Sequence, residues 1–306
     1  MQRPLFSIVI ASYNQKPFVG DAVTSALQQT YKDKEVIVVD DCSSDGTASI
    51  LTSFGSSICF SPLLRNSGVA AARNHGASLA RGQYVAFLDG DDVMLPWALE
   101  AYASIIAARQ PSIILGRSHK FYGTGDPVIA GAPPADVDFV EYPTFLAKDR
   151  PWVYNTSCLV VERSAFCAAK GWSCDLFYQD IQDLLNKLGI AGKTVLVLNP
   201  DTVYYRLHGT NAVSKVAPFI NGIDTLVKKA RVGMYPGGWK HRLQRSAWFG
   251  GLSFYWAKRA LASGMYRDGF RLLCSRWWMI ALATVRRCAV LVAGRNRIQT
   301  LSLNHE

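Results

Sequence analysis

The sequence is short of several things that would classify it at once. Charged residues fill only 18% of its 306 positions and hydrophobic residues 49%, which excludes a disordered or collagen-like chain and leaves apolar mass for a large core. Its seven cysteines are scattered. None forms a Cys-x-x-Cys pair, so neither a zinc ribbon nor a thioredoxin-like site is indicated, and the expectation is small buried thiols in a reducing compartment. No strand-like run leads into Gly-x-Gly-x-x-Gly, which argues against a dinucleotide dehydrogenase. No apolar run reaches the ~18–20 residues of a membrane-spanning helix. The nearest, 277–294, is split by Arg286 and Arg287. Leu5–Ala11 is too short for a secretory leader. These absences predict a cytoplasmic protein. There are no repeats and no low-complexity segments.

Acids are nearly missing from one region. Residues 228–306 hold 15 Lys and Arg against Asp268 and Glu306, a net +13, whereas residues 1–227 hold 18 against 21, a net −3. The overall +10 therefore belongs to the last quarter of the chain. A nucleic-acid-binding protein would explain that quarter, but no recognition motif accompanies it, so no nucleic-acid partner is expected.

What is present is an alternation. Phe6–Ala11 and Glu35–Asp40 are β-branched runs, and between them residues 17–30 carry apolar side chains at helical spacing. Nearly continuous apolar strands separated by helices indicate a mostly parallel sheet covered on both faces. The same pattern predicts a helix from Ser44 or Asp45 to Phe54, a strand at 57–61, a helix at 67–81, a strand at 83–88, a helix at 96–109 and a strand at 111–116. Residues 122–152, rich in Gly, Pro and Asp, read as a long loop. Beyond it the pattern gives a strand at 156–162, a helix at 177–188 and strands at 194–199 and 202–206. Strands then stop near residue 218, and helices follow at 239–263 and 265–293. The domain expectation is a catalytic unit over 1–217, with a nucleotide half at 1–116 and an acceptor half at 117–217, and a basic, aromatic helical tail over 218–306.

Four constellations carry chemistry. Ala11-Ser12-Tyr13-Asn14 follows the first strand, and Asp40-Asp41-Cys42-Ser43-Ser44-Asp45-Gly46-Thr47 follows the second. Both sit at carboxyl ends of parallel strands, where open α/β sheets bind ligands. A Tyr there can stack on a base and an Asp can accept a ring N–H. Equally, Asp45-Gly46 suits a turn, and Asp41 or Ser44 a helix cap. Asn66 to Asn74 opens a helix bearing Arg73, which reads either as a solvated side chain or as a partner for an anionic ligand. Phe87-Leu88-Asp89-Gly90-Asp91-Asp92 ends a buried strand in three carboxylates. In an extended chain Asp89 and Asp91 point the same way. Crowded carboxylates need a cation, and oxygen ligands suit a hard ion, Mg²⁺ or Mn²⁺.

In this order the segments SIVIASYN, EVIVVDDCSSDGT, LLRNSGVAAARNHG and GQYVAFLDGDD resemble the family 2 glycosyltransferases. The resemblance covers about ninety residues and implies the Rossmann-like, A-type nucleotide-sugar-binding fold. By it, Tyr13 and Asp41 hold the uracil or an equivalent base, Ser12 belongs to the nucleotide-sugar site, Arg73 assists the nucleotide, Asp89 lies by the ribose, and Asp91 reaches the metal on the diphosphate. Asp92 is left without a role. Gly171-Trp172 followed by Gln179-Asp180 is similar to the family's Glu-Asp pair opening a helix. Gln179 departs from it, and Asp180 takes the place of the catalytic base. Asp183, one turn on, is the second choice for that base. Val203 to Asn211 is similar to the family's closing Arg-x-His-x-x-Asn segment, in which His208 would contact metal or diphosphate.

The resemblance implies a metal-dependent inverting glycosyltransferase that takes a nucleotide-sugar donor, expected to be UDP-linked, to a hydroxyl of a glycan or lipid-linked acceptor. A non-catalytic nucleotide-sugar-binding relative is the alternative, supported only by Gln179. For the tail, Ser246–Ala262 with Tyr266–Trp278 is expected to pack as a hairpin cap. Trp277–Arg297 is expected to contact an anionic membrane at its inner face.

Overall fold

The computed structural model describes residues 3–123, 134–148, 155–176, 178–209, 215–294 and 296–303. The strands are β1 (Phe6–Ser12), β2 (Lys34–Asp40), β3 (Cys59–Pro62), β4 (Tyr84–Asp89), β5 (Val93–Met94), β6 (Ile113–Leu115), β7 (Ser118–Tyr122), β8 (Asp136–Tyr142), β9 (Leu159–Glu162), β10 (Thr194–Asn199), β11 (Val203–Leu207) and β12 (Gln299–Ser302). The α-helices are α1 (Val19–Leu27), α2 (Thr47–Ser53), α3 (Val69–Leu79), α4 (Ala98–Arg109), α5 (Arg163–Ala168), α6 (Asp180–Lys187), α7 (Val216–Arg231), α8 (Gly238–Ala262), α9 (Tyr266–Ser275) and α10 (Trp277–Ala293).

Nine strands form one sheet in the order β12-β8-β10-β6-β9-β4-β1-β2-β3. The nucleotide half, β4-β1-β2-β3, is wholly parallel. β9 runs antiparallel to both β4 and β6, and β8 antiparallel to β10 and β12. The sheet is therefore mixed, with its parallel character concentrated where the first strands and helices alternate.

The period-2 alternation of β1 builds two layers at once. Phe6, Ile8 and Ile10 join a core with Val19, Val23 and Leu99 from α1 and α4. Val9 and Ala11 face the other way, into a core with Ala70 and Ala72 of α3 and Leu184 and Leu185 of α6. All seven residues of β1 are buried, as a strand covered on both faces must be. A third core joins α7, α8 and the two following helices around Ile223, Leu226, Phe249, Trp256, Leu272 and Met279.

Several expectations are corrected. Residues 136–142, assigned to a loop, are strand β8, whose buried Val137, Phe139, Val140 and Tyr142 place it inside the main sheet. Within that loop 124–133 and 149–152 lie outside the described residues, as do Phe177 at the expected start of α6 and Thr210 and Asn211. Strands do not end near residue 218: β12 returns to pair with β8, Leu301 opposite Val137. Residues 216–231, left without an element, form α7. The cysteines are not generally buried: Cys158 alone of the seven is, and the other six are exposed.

The expected hairpin cap packs as a cap. Trp248 lies 4.8 Å from the Phe145 ring, and Phe249 and Trp256 are buried. Among the described residues, no helix is long and apolar enough to cross a membrane.

Candidate active site

The carboxyl ends of three parallel strands lie side by side: Ser12 pairs with Asp40, and Ala11 with Asp89. Every sequence-nominated donor residue is near these ends, but they do different work.

Asp41 is buried, and its two oxygens accept the backbone N–H groups of Ser67 at 2.7 Å and Gly68 at 2.8 Å. It ties the second strand to the start of α3 and keeps one further lone pair on each oxygen. Tyr13 is about half exposed, at 48%. Ser12 Oγ is buried without a hydrogen-bond partner, as is Gln15 Oε1. Buried polar atoms are rarely left unmatched, so two together suit a polar ligand at this position. Asp45 caps the neighbouring turn, accepting the Thr47 N–H at 2.9 Å and the Thr47 hydroxyl at 2.6 Å.

Arg73, on the second turn of α3, is 4% exposed. Its Nη2 donates to Asp89 Oδ1 and its Nη1 to Asp180 Oδ2, both at 2.6 Å. The guanidinium lies 4.8 Å from the centre of the Trp172 ring. Trp172 is itself fixed, because its N–H donates to Asn74 Oδ1 and its carbonyl accepts from Asn74 Nδ2. Burial alone would lower the Arg73 pKa, but the two carboxylates outweigh it and the net direction is upward. Burial raises the Asp89 pKa, Arg73 opposes it and Asp91 adds to it; the net direction is again upward. A buried cation needs such pairing to offset its desolvation. Arg73 thus joins the donor side to Asp180, the first residue of α6.

The three acidic residues after β4 do not share a direction. The strand stops at Asp89, and a turn follows in which Asp92 N–H donates to the Asp89 carbonyl at 3.0 Å. Asp89 goes to Arg73. Asp91 Oδ2 lies 2.8 Å from His208 Nε2. Asp92 is fully buried; it accepts the Ser157 hydroxyl and, at 3.0 Å, the Arg206 N–H. Burial, then Asp91 and Asp89, push its pKa well up. Asp92 is therefore scaffold, which accounts for its lack of a role.

The support beneath Asp91 comes from Arg206, the arginine of the closing Arg-x-His-x-x-Asn-like segment. Arg206 is fully buried and donates from Nε to the Asp91 carbonyl at 2.9 Å and from Nη2 to Asp21 at 2.7 Å. It sits over the rings of Phe18 and Phe121. The His208 ring stacks on Phe18, centroids 4.9 Å apart. In sequence Phe18 looks like ordinary helix core and Ser157 like a strand residue. Only their three-dimensional neighbours reveal them.

Asp91 and His208, with side chains 14% and 17% exposed, form a carboxylate–imidazole pair that fits a divalent ion whose remaining ligands are diphosphate oxygens and water. Among the described residues, no group of three or more His, Cys, Asp or Glu is arranged to hold a metal.

On the other side, α6 is pinned by the tail. Asp183 is fully buried and accepts from Ser173 Oγ at 2.6 Å, Tyr235 OH at 2.8 Å and Lys229 Nζ at 3.3 Å. That occupancy removes it as the second-choice base. Burial and then Asp183 raise the Tyr235 pKa. Gln179 is 2% exposed, and its Nε2 donates to the Phe219 carbonyl of α7 at 3.1 Å. A Cβ at Gly222 would come within 2.6 Å of Gln179 Cγ, so glycine permits this contact.

Comparison with known proteins adds the following. The model of the family described as Glycosyl transferase family 2 matches residues 7–158. The Escherichia coli protein WfaP, named as a UDP-Glc:alpha-D-GlcNAc-diphosphoundecaprenol beta-1,3-glucosyltransferase, is 32% identical over 235 residues, 72% of this chain and 85% of that protein. A Bacillus subtilis (strain 168) glycosyltransferase named for teichuronic acid biosynthesis, TuaG, is 38% identical over 151 residues, 48% of this chain. The match spans 56% of that relative's length. Among solved structures, S. aureus TarS 1-349 in complex with UDP-GlcNAc aligns with TM-score 0.61 and 18% identity, over 80% of this chain and 71% of that one. A Pyrobaculum calidifontis mannosyltransferase in complex with GDP-Man and Mn2+ aligns with TM-score 0.55 and 14% identity, over 95% and 88%. At these identities the structures establish a shared fold.

Proposed function

The chain belongs to glycosyl transferase family 2, and on that premise we propose that it is an inverting enzyme moving a sugar from a uridine diphosphate donor to a hydroxyl of a lipid-linked glycan. We place the reaction in surface-polysaccharide assembly, at the cytoplasmic face of the cell membrane. The UDP-linked donor and lipid-linked acceptor rest on the name of the E. coli relative. The proposed catalytic unit is 1–217, with 218–306 as an extension that braces it.

The observation that carries the reading is the Arg73 bridge between Asp89 and Asp180 at the carboxyl ends of the parallel strands. It puts one carboxylate on the donor side and another at the start of α6 within reach of a single guanidinium. Asp180 takes the proton of the acceptor hydroxyl. One of its oxygens is held by Arg73 and the other by the Ile181 N–H at 2.8 Å, so the carboxylate presents its remaining lone pairs in a fixed orientation. The acceptor oxygen attacks the anomeric carbon from the face opposite the diphosphate. Tyr13 stacks on the base, Asp41 accepts its ring N–H through a spare lone pair, and Ser12 supplies a buried hydroxyl. Asp89 lies by the ribose. Asp91 and His208 would hold a Mg²⁺ or Mn²⁺ ion, which would supply charge neutralisation for the leaving diphosphate. Gln179 does not favour the non-catalytic alternative, because its amide has a packing role against α7.

The test is a nucleotide-sugar panel scored for thermal stabilisation and for Mn²⁺- or Mg²⁺-dependent hydrolysis. UDP-linked sugars should respond, and Asp91→Ala should lose the metal-dependent part of that response. No response to any nucleotide sugar or free nucleoside diphosphate overturns the reading.

A further inference from the structure

Helix α10 is amphipathic in the wrong sense for a solvated surface helix. Trp277, Ala281, Val285, Cys288 and Val292 follow one another at steps of three and four residues, so they line one face. All five are exposed, Trp277 at 68%, Val285 at 64% and Val292 at 90%. Leu291 at 69% and Trp278 at 40% widen the same face. The row contains no charge along a helix of 17 residues, roughly 25 Å at 1.5 Å per residue.

The polar side chain faces inward instead. Arg286 donates from Nη2 to the carbonyls of Leu146 and Lys148, at 2.6 and 2.9 Å. Gly250 lets α8 press against the same inner face: a Cβ there would meet the Met279 carbonyl oxygen at 1.9 Å. The arginine that interrupts the apolar run in sequence therefore fastens the helix to the protein, and the outer row stays unbroken.

We propose that this outer face of α10 is a membrane-docking surface that lies in the headgroup region of an anionic bilayer without crossing it. The inference deepens the membrane location proposed above and rests on it. Charge argues for an anionic bilayer over a second copy of the chain. Arg287 is exposed on α10 itself, and Arg297 is exposed four residues beyond its last residue, Ala293. The N-terminal end of α8, which meets α10 through the Arg286 contact to the Gln244 carbonyl, carries exposed Arg242 with exposed Trp239 and Leu243. Exposed arginines on and close in sequence to an apolar, Trp-bearing helix favour anionic lipid over a like-charged copy of the chain.

The test compares the full chain with the double variant Val285→Glu and Val292→Glu, both at exposed positions outside the catalytic machinery. Binding to phosphatidylglycerol-containing and phosphatidylcholine vesicles is read by co-sedimentation at about 0.1 M salt. The wild type should bind the anionic vesicles, and the double variant should lose about tenfold or more in partition while keeping its thermal response to UDP. Equal binding by the two proteins, or equal binding to both vesicle types, overturns the proposal. So does a wild-type dimer in sedimentation velocity that becomes monomeric in the variant without any vesicle binding. Because vesicle binding needs no substrate, loss of nucleotide response with intact vesicle binding would instead count against the transferase reading.

Discussion

The two sides of the proposed active site are held by different means. On the donor side, position comes from the backbone: β4, β1 and β2 run in parallel register, their ends stop together, and Asp41 is tied to two N–H groups of the α3 turn. On the other side, position comes from buried side chains. The helix that begins with Asp180 is gripped through Asp183 and Gln179, whose partners Lys229, Tyr235 and Phe219 lie on or just beyond α7. Arg73 connects the two sides. A ladder of backbone hydrogen bonds tolerates many side-chain changes, whereas a few buried polar tethers do not. The α6 side should therefore be the more sensitive to substitutions remote from the chemistry.

The largest expected effect separates chemistry from donor binding. Asp180→Asn should lower kcat about a thousandfold, within the usual range for loss of a general base. Affinity for UDP should stay within about twofold, because the donor side does not depend on that carboxylate for its backbone register. Steady-state kinetics with calorimetric UDP titration make the check. Comparable losses in both would mean that the Arg73 bridge, and not the strand ends, sets the donor pocket.

The second effect tests the tethers. Lys229→Met removes the cation that reaches Asp183 in the core and leaves a buried carboxylate short of a partner, at a cost of about 3 kcal/mol. The exposed Asp175, the lysine's other partner, adds little. Thermal and denaturant unfolding should show the loss, and at temperatures where the variant is folded kcat should fall more than UDP affinity. An equal drop in both would erase the distinction between the two sides.

That distinction also explains what could be read from the sequence. The parallel half announces itself because strands buried on both faces must be nearly continuously apolar, as β1 is apart from Ser7 and as β2 is over residues 36–39, and because their polar ends break sharply at Ser12 and Asp40. Asp91 and Asp92 could not be separated in this way. They are neighbours of identical chemistry, and what makes one reachable and the other scaffold is Ser157 and Arg206, distant in the chain. Strand β8 sends Val137 and Phe139 into one core and Val140 and Tyr142 into the other, so it shows no simple alternation, and its Gly- and Pro-rich surroundings hide it further. β12 has four residues and becomes a strand only through pairing with β8. The inward turn of Arg286 depends on carbonyls of residues 146 and 148, which no helical period can encode.

The smallest effect concerns the departure from the family's Glu-Asp pair. Gln179→Glu restores the expected acid but removes the amide that donates to the Phe219 carbonyl, and a carboxylate at that position meets a carbonyl oxygen instead. The carbonyl keeps its helical hydrogen bond within α7, but losing the amide and setting a buried carboxylate against it should cost about 1–2 kcal/mol. Backbone at Gly222 closes the alternative of the side chain moving aside, because it packs against Gln179 Cγ and Cβ. If the tether matters only for stability, the variant should unfold at lower denaturant concentration with kcat unchanged at low temperature. If it sets the aim of Asp180, kcat should fall severalfold in the folded enzyme while UDP affinity holds, and Gln179→Met, which keeps the volume without the donor, should reproduce the fall. A Glu variant as stable and as active as the wild type would mean that α7 holds α6 through Asp183 alone, and the contrast between the two sides would then rest on one buried carboxylate.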